Sequence, residues 1–333
     1  MSRRPVFDAD HETFRDSVAR FLAAEAAPHY TDWDAKGAVP ATFWATAAEY
    51  GFVGLSEAGD PRFAAVALEE AMTAGLPAIA LALAMHDGFA LPLLGERAGP
   101  GLIAVVEDGV AAEARDGGWV LSGGAETVIN GAAAAQLLTA ARTDDGSVQL
   151  FVVDGAAAGL HRAPAEALLG LDALDVADVR FDAVAANPLD GDLAAARAGH
   201  DLALAVAAMA GARTALRITL DYVQQRKAFG RPIAEFENTR HVLSRAGARV
   251  TAVGAFVDSC LTAPAVTPEH AAAALVCAAD TLDLAVDTGV QLHGGYGYMW
   301  EYPIARAYAA ARFFRIYGSG PNIDGVLAGA IGL

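Results

Sequence analysis

Cysteine, long apolar runs and metal-ligand spacings are scarce in this chain of 333 residues. Only Cys260 and Cys277 occur, which excludes a disulfide framework and a multi-cysteine metal cage. The eight histidines show no paired metal spacing, so we expect no metal site. The longest apolar runs, 77–85 and 202–212, are shorter than the roughly 20 residues that cross a bilayer. The sequence therefore predicts no membrane span.

Positive charge is also in short supply. The sequence has 23 lysines and arginines and 40 aspartates and glutamates, which gives a formal net charge of −17. Nucleic-acid phosphates and anionic lipids repel a chain with this net negative charge, so neither is an expected partner. Hydrophobic residues make up 54% and charged residues 19%, which allows a large core and excludes general disorder. The chain opens without an apolar signal segment, and we expect a cytoplasmic protein.

Three regions differ in the periodicity of their apolar residues. Helical spacing dominates the first and the last region, where Leu202, Val206 and Met209 lie on one helical face. Between them, short β-type runs alternate with turn signals, as in a small antiparallel barrel or sandwich. These runs are 118–121, 136–141, 148–153 and 176–181. The predicted fold is mainly α with a central β module: an N-terminal helical domain (1–98), a small β-barrel or sandwich (99–192) and a C-terminal four-helix bundle (193–333).

Two stretches near the C-terminus contain the most informative residues. The first, 225–236, reads QRKAFGRPIAEF and places a fixed cation and an aromatic residue beside a glycine. The second, 291–298, reads QLHGGYGY, and its glycines let a backbone lie close to a ligand and offer N–H groups to a phosphate. Taken singly, each has a plainer interpretation, as a solvated arginine at 226 and a helix stop at 294–295.

Taken together, the two stretches resemble the acyl-CoA dehydrogenase family. The matching patterns are Arg-x-x-Phe-Gly-x-Pro-Ile-x-x-Phe and Gln-x-x-Gly-Gly-x-Gly-Tyr, in the family's order and at its separation. The resemblance extends to the first helices, from His11 onward, and to the β module around 121–131 and 150–154. It covers nearly the whole chain, is strongest over 213–317, and implies the same three-part architecture.

The resemblance implies FAD shared across a subunit interface. It assigns the pyrophosphate and adenine side of the partner's FAD to Arg226, Phe229, Phe236, Gln291, Gly294 and Gly295. It further implies α,β-dehydrogenation of an acyl thioester, carried by CoA or a carrier protein. An electron-transfer acceptor and a homologous subunit of a dimer or tetramer are the other implied partners.

The residue that removes the substrate proton departs from the family pattern. The usual base is a glutamate directly after the Ile-Tyr pair, and that position is Gly318 here. Some members carry the base on the first long helix of the C-terminal bundle, which corresponds to His200, followed by Asp201 where arginine is common. Imidazole serves as a base near neutral pH, so His200 is the candidate catalytic residue. The alternative is an exposed or capping histidine at a helix start.

The flavin-ring side of the shared site is also reduced. Residues 102–109 run almost directly into 111–115, without the family's Thr-Glu-Pro and Gly-Ser-Asp loop. The segment 125–130 lacks the aromatic residue and the threonine that face the flavin, and Gly320 replaces a supporting threonine. The adenine side is intact. This asymmetry predicts a half-site subunit paired with a base-bearing partner, with FAD absent from the isolated chain.

Two other functions remain open from the sequence. One is a flavin-dependent monooxygenase on the same fold, because that branch also dispenses with the glutamate. The other is a non-catalytic assembly subunit. Oxygen consumption with reduced flavin would indicate the first. Tight binding to a homologous subunit without any flavin chemistry would indicate the second.

Overall fold

The N-terminal region is a layer of short helices. The computed structural model describes residues 4–115, 117–166 and 168–333, with 57 and 58 described by their backbone alone. Local signals start several helices. The Asp8 side chain accepts hydrogen bonds from the backbone N–H groups of Asp10 and His11, and Pro61 and Pro77 each begin a helix. The helices are α1 (Ala9–Glu25), α2 (Tyr30–Lys36), α3 (Ala41–Glu49), α4 (Pro61–Thr73), α5 (Pro77–Met85) and α6 (Leu91–Leu94), with a π-helical turn at His86–Ala90 and 3₁₀ turns at Leu55–Ala58 and Gly95–Arg97.

The central module is a closed barrel with two additional strands. Its strands are β1 (Ile103–Val106), β2 (Val110–Arg115), β3 (Gly118–Ile129), β4 (Gln136–Thr143), β5 (Val148–Asp154), β6 (Leu160–Pro164) and β7 (Val176–Leu189). Strands pair in the ring β4–β2–β3–β7–β5–β4, while β1 pairs with β4 and β6 with β7. Alternate inward side chains, such as Leu121, Leu137 and Phe151, fill its core.

The prediction of a wholly antiparallel module is wrong at two ladders. Both β1 and β2 run parallel to β4, whereas the other barrel ladders are antiparallel. The reason is that β2 continues the line of β1 along β4 after a short turn at 107–109. Gly109 has φ +76° there, and a Cβ would lie 2.2 Å from the Gly124 carbonyl oxygen. The turn therefore requires glycine.

The C-terminal region is the predicted bundle of four long helices with a short fifth helix. These are α7 (Leu193–Gln225), α8 (Glu237–Leu261), α9 (Pro268–His293), α10 (Pro303–Tyr317) and α11 (Pro321–Ala330), with a small hairpin of β8 (Lys227–Ala228) and β9 (Arg231–Pro232) between α7 and α8. One continuous core joins this bundle to the N-terminal helices, with Phe89, Leu204 and Phe314 fully buried in it. The two helical regions therefore stabilise each other.

Two helical stretches are long and apolar enough to cross a membrane by length and composition. They are 77–97 and α7, with mean hydropathies of 1.6 and 1.3 in their most apolar windows. Most of each window is buried inside the protein, 78% and 72% respectively. That burial is typical of a core helix, and the sequence-based argument missed both stretches because it counted only uninterrupted apolar residues.

Candidate functional site

Four of the six predicted cofactor residues meet in one groove. Arg226, Gln291, Gly294 and Gly295 line a space of about 510 Å³ that is open to solvent. The groove forms where α7 and α9 end side by side, because Arg226 is the C-cap of α7 and Gly294 the C-cap of α9. Gly294 has φ +59°, a conformation that favours glycine. We call this space the adenine-side groove.

The other two predicted cofactor residues lie outside the lining of this groove. Phe229 and Gly230 form the two-residue turn of the β8–β9 hairpin, with φ of +52° and +82°. The Phe229 side chain is 97% exposed at the tip of this turn. Phe236 packs under the Arg231 guanidinium, whose Cζ lies 4.2 Å from the ring centroid. Both aromatic residues are therefore part of the surface beside the groove.

The floor of the adenine-side groove is an aromatic stack that sequence reasoning missed. The rings of Tyr222 and His293 are nearly parallel, with centroids 4.0 Å apart. The Tyr222 hydroxyl donates to the His293 carbonyl oxygen at 3.3 Å, and His293 Nδ1 lies 2.7 Å from the Gly289 carbonyl oxygen. Burial lowers the pKa of His293, which favours a neutral ring that donates to this carbonyl. The position of Tyr222, one helical turn before Arg226, was the available signal.

The groove is suited to an anion although the chain is strongly acidic. Of the described residues in its lining, Arg226 is the single one with a formally charged side chain, and it is exposed. The Arg226 guanidinium carbon lies 5.5 Å from the Tyr296 ring centroid. A Cβ at Gly295 would meet no atom within 4 Å, so a ligand can approach the backbone there. A forked cation and an amide match the donors that bind a pyrophosphate.

A second space lies beside the C-terminal end of α10, next to the position of the family's usual base. This cavity, which we call the α7–α10 cavity, has a volume of about 280 Å³. Its polar wall contains Glu107, Arg197, Asp201 and the C-terminal residue of α10, Tyr317. Gly318 follows as the C-cap of α10 and offers no side chain. The rest of the lining is mainly apolar and comes from Ala194, Ala198, Pro268, Ile316, Gly320, Pro321, Asn322, Ile323 and Val326.

His200 lies beside this cavity but not in its lining. It is 1% exposed and sits in the third turn of α7, so the alternative of an exposed histidine at a helix start is wrong. The helix begins earlier because Asp192 caps it at the Ala195 N–H. His200 Nδ1 lies 3.0 Å from the Ala84 carbonyl oxygen, and Nε2 has no hydrogen-bond partner among the described residues. Its catalytic role stays a prediction.

Aromatic rings enclose His200 on two sides. The ring centroids of Phe89 and Tyr317 lie 5.6 Å and 5.4 Å from that of His200, both edge to face. Burial lowers the pKa of His200, so the imidazole is neutral near pH 7. Burial and the nearby Glu107 and Asp201 charges raise the pKa of Tyr317 above its ordinary value. The phenol of Tyr317, which contacts the His200 ring and also lines the α7–α10 cavity, is therefore un-ionised.

Asp201 is the buried carboxyl that faces the α7–α10 cavity. It is 9% exposed, and burial together with the neighbouring Glu107 charge raises its pKa to about 7. Arg197 opposes that rise but is hydrogen-bonded to Glu107. Sequence reasoning noted Asp201 only as a departure from arginine. Glu107 was not singled out, although an acidic residue directly after the buried strand β1 was a usable signal.

Apart from Gly320, the residues that the family resemblance places on the flavin-ring side lie on the barrel. Only residues 107–109 separate β1 from β2, so no long loop is present at this edge of the barrel. Thr127, in the place of the family's aromatic residue, has φ +55°, and its N–H donates to the Asp178 carboxylate at 3.0 Å. Ile129 is buried in the core shared with the helices. Thr127 and Ile129 offer no charged or amide side chain of the kind that the adenine-side groove offers to a phosphate.

Comparison with known proteins decides the family. Residues 8–98 match the acyl-CoA dehydrogenase N-terminal domain, and residues 198–323 match the acyl-CoA dehydrogenase C-terminal domain. A mitochondrial long-chain specific acyl-CoA dehydrogenase of Sus scrofa is 30% identical over 95% of this chain and 84% of that protein. The chain belongs to the acyl-CoA dehydrogenase family. The predicted family and fold class are thereby confirmed, and the chain is a member of a family of flavin-dependent oxidoreductases.

Solved structures agree with this acyl-CoA dehydrogenase assignment. The acyl-CoA dehydrogenase of Geobacillus kaustophilus superposes with a TM-score of 0.91 at 25% identity, over 99% of this chain and 100% of that one. The acyl-CoA dehydrogenase of Bacillus anthracis, solved in complex with FAD, has a TM-score of 0.86 at 22% identity over 98% of this chain and 68% of that one. The second likeness shows the fold alone.

Proposed function

We propose that this chain is the adenine-side subunit of an FAD-dependent acyl-thioester dehydrogenase. In this assembly it binds the pyrophosphate and adenine of an FAD whose flavin ring lies on a homologous, base-bearing subunit in the cytoplasm. The single observation that carries the proposal is the meeting of Arg226, Gln291 and the 294–295 glycines in one solvent-open groove. An exposed groove is accessible to a cofactor bound mainly by another chain.

Each groove residue has a distinct task in binding. The Arg226 guanidinium would hold the pyrophosphate, since its planar fork suits phosphate oxygens, and the Gln291 amide would add a further donor. Gly294 and Gly295 admit the phosphate close to the backbone. The Tyr222–His293 stack fixes the ends of α7 and α9 relative to each other, so that the donors from both helices stay aligned. When bound, FAD supplies a two-electron acceptor for the substrate's β-hydrogen.

The reduced flavin-ring side favours a heteromer over a self-sufficient enzyme. The short β1–β2 connection, Gly318 and Gly320 leave this chain without the family's usual base and ring support. A second subunit that retains these residues would complete the site. The acyl thioester, on CoA or a carrier protein, and an electron-transfer acceptor would then be partners of the assembled enzyme.

The test is the visible absorption spectrum of the purified chain with and without a homologous subunit. We expect the chain alone to be colourless, because it supplies the donors for the nucleotide tail but not those for the flavin ring. Co-expression with the product of any neighbouring homologous gene is expected to yield a yellow complex that reduces a dye in the presence of an acyl-CoA. A stoichiometric flavin band in the lone chain would contradict the half-site proposal.

The same preparations distinguish the proposed dehydrogenase from the two alternatives, a monooxygenase and an assembly subunit. Oxygen uptake by the complex with reduced flavin, without acyl-CoA-dependent dye reduction, would favour the monooxygenase. A stable complex that lacks flavin would favour the assembly subunit. The matched control is the homologous subunit expressed alone, which is expected to lose most of its flavin if this chain holds the nucleotide tail.

A further inference from the structure

A pocket between the N-terminal helices and the bundle contains arginines that the proposed function leaves unused. It has a volume of about 250 Å³ and lies where the segment before α1 meets α1, α4 and α7. Its charged lining residues are Arg4, Glu12, Arg15, Glu69, Arg213 and Arg217. We call this space the arginine pocket. Four guanidinium groups around one small space indicate an anion site if the nearby carboxylates leave part of their charge uncompensated.

Helix α7 presents two of these arginines on one face. Arg213 and Arg217 are one turn apart, and Ala210 and Thr214 of the same face also line the pocket. Two like charges at this spacing repel each other. An anion that contacts both guanidinium groups would remove that repulsion.

The carboxylates of the pocket neutralise this pair only in part. Glu69 Oε1 lies 3.2 Å from Arg213, but the same carboxylate also pairs with Arg4 and Arg15. Burial and the Arg4 charge lower the pKa of Arg213 in spite of Glu69. No hydrogen bond or ion pair of the Arg217 side chain is found among the residues that the structure describes. Arg213 and Arg217 therefore keep donors for a further anion.

Contacts on the other side of the pocket hold Arg4 and Arg15 in place. Their guanidinium carbons lie 4.9 Å and 4.7 Å from the ring centroid of the buried Phe7. Arg4 also pairs with Asp258 of α8, and Arg15 pairs with Glu70 of α4 at 2.7 Å. Because these side chains are already ordered, an anion that enters the pocket loses little free energy to side-chain ordering.

We propose that the arginine pocket binds a phosphate group, with Arg213 and Arg217 as its main ligands. The Thr73 and Thr214 hydroxyls in the lining are further donors. Guanidinium forks suit phosphate oxygens, and two forks from adjacent turns can contact one phosphate group together. The volume is below the roughly 300 Å³ of the smallest usual small-molecule sites, which favours a phosphate group over a whole cofactor. Arg217 and Thr73 are exposed, so the group is either free phosphate or the end of a larger molecule.

The arginine pocket is separate from the adenine-side groove. Arg217 precedes Arg226 by nine residues, which is about two and a half turns of α7, so the two side chains start from opposite sides of the helix. The two spaces share no lining residue among those that the structure describes. Binding at one can therefore be removed without the other.

The experiment is calorimetric titration of inorganic phosphate, and separately of ADP, into the full chain at an ionic strength fixed with chloride. Arg226→Ala is the background throughout, so that the adenine-side groove does not contribute. We expect one phosphate site per chain. Arg217→Ala is expected to weaken binding by about 10-fold, because one charge-assisted contact is lost, and Arg217→Lys by less. The matched control is Arg240→Ala, an exposed arginine on α8 outside the pocket, which is expected to bind as the background does.

The two probes distinguish the sources of the phosphate group. Tighter binding of ADP than of inorganic phosphate, with both weakened by Arg217→Ala, would identify the terminal phosphate of a nucleotide. Equal affinities with the same dependence on Arg217 would identify free phosphate.

Two outcomes would overturn the proposal. One is a background chain that binds neither probe at millimolar concentration. The other is binding that Arg217→Ala leaves unchanged, because the anion would then lie elsewhere on the chain.

Thermal unfolding gives a second readout that also checks folding. Arg217 is exposed, so Arg217→Ala is expected to have the Tm of the background chain in chloride. Phosphate is expected to raise the Tm of the background chain more than that of Arg217→Ala, since a ligand that binds only the folded state stabilises it. An equal rise in both chains would contradict the assignment to this pocket.

The phosphate site does not depend on the proposed function. A flavin complex without Arg217-dependent phosphate binding would remove the phosphate site and leave the proposed function standing. Arg217-dependent binding by a chain that forms no flavin complex would do the reverse.

Discussion

Arg226→Ala is expected to raise the dissociation constant for FAD of the assembled flavoprotein by about 10- to 100-fold, because a charge-assisted hydrogen bond contributes roughly 1.5–3 kcal/mol. Arg226 is the one charged side chain among the described residues of the groove lining. Fluorescence titration of the apo-assembly with FAD measures the change.

Two further variants show whether the geometry or only the charge of Arg226 matters. Arg226→Lys keeps the charge but not the planar fork, so we expect an intermediate loss. Arg20→Ala removes an exposed arginine on α1, outside the groove, and is expected to leave FAD binding unchanged. Wild-type affinity in Arg226→Ala would mean that the groove does not hold the pyrophosphate.

Glu69→Gln is expected to lower the free energy of unfolding by about 3 kcal/mol, since removing one partner of a buried ion pair leaves Arg213 without a carboxylate. Arg4 and Arg15 each lose one carboxylate and keep another. Glu69 is 4% exposed on α4. Its Oε1 accepts from Arg4 and, at 3.2 Å, from Arg213 of α7, while its Oε2 lies 3.0 Å from Arg15 of α1. Glutamine keeps the shape of the side chain and removes the charge shared by these three guanidinium groups.

Urea denaturation of the wild type and the variant measures this loss. Glu49→Gln, at the exposed end of α3, is the matched control and is expected to change stability by less than about 0.5 kcal/mol. A loss below about 1 kcal/mol in Glu69→Gln would show that solvent screens the network as it does surface pairs. The N-terminal segment and the bundle would then be joined mainly by their shared apolar core.

Much of the helical architecture could be predicted from the sequence because its signals are local. The C-terminal helices have long apolar stripes with proline or glycine at their ends, as at Pro268 and Gly294. Strands β1 and β6 were missed because they pair with distant residues of β4 and β7. Strand β2 was missed because its alanines and glutamate are weak strand formers, although it pairs with the adjacent β3. The parallel ladders were missed for the same reason: the sequence shows that strands exist, but not which neighbour each one meets.

The residues of the candidate site differ in the same way: those in local motifs could be predicted, and those that depend on distant contacts could not. The groove residues Arg226, Gln291, Gly294 and Gly295 could be named because each lies in a contiguous motif. The environment of Asp201 could not, since its raised pKa depends on Glu107, which is 94 positions away in the chain, and on burial by α10 and α11. His200 illustrates the opposite error: a glycine beside it indicated a helix start, whereas the Asp192 cap begins the helix earlier.

The most direct measurement of the central claim is photolabelling of the flavin-containing complex with 8-azido-FAD. The azide is on the adenine, so the label reports which chain holds the nucleotide tail. We predict that it attaches to this chain, within 226–236 or 291–299, while the flavin ring remains bound to the homologous subunit. Label confined to the homologous subunit, or found on the barrel of this chain, would contradict the account.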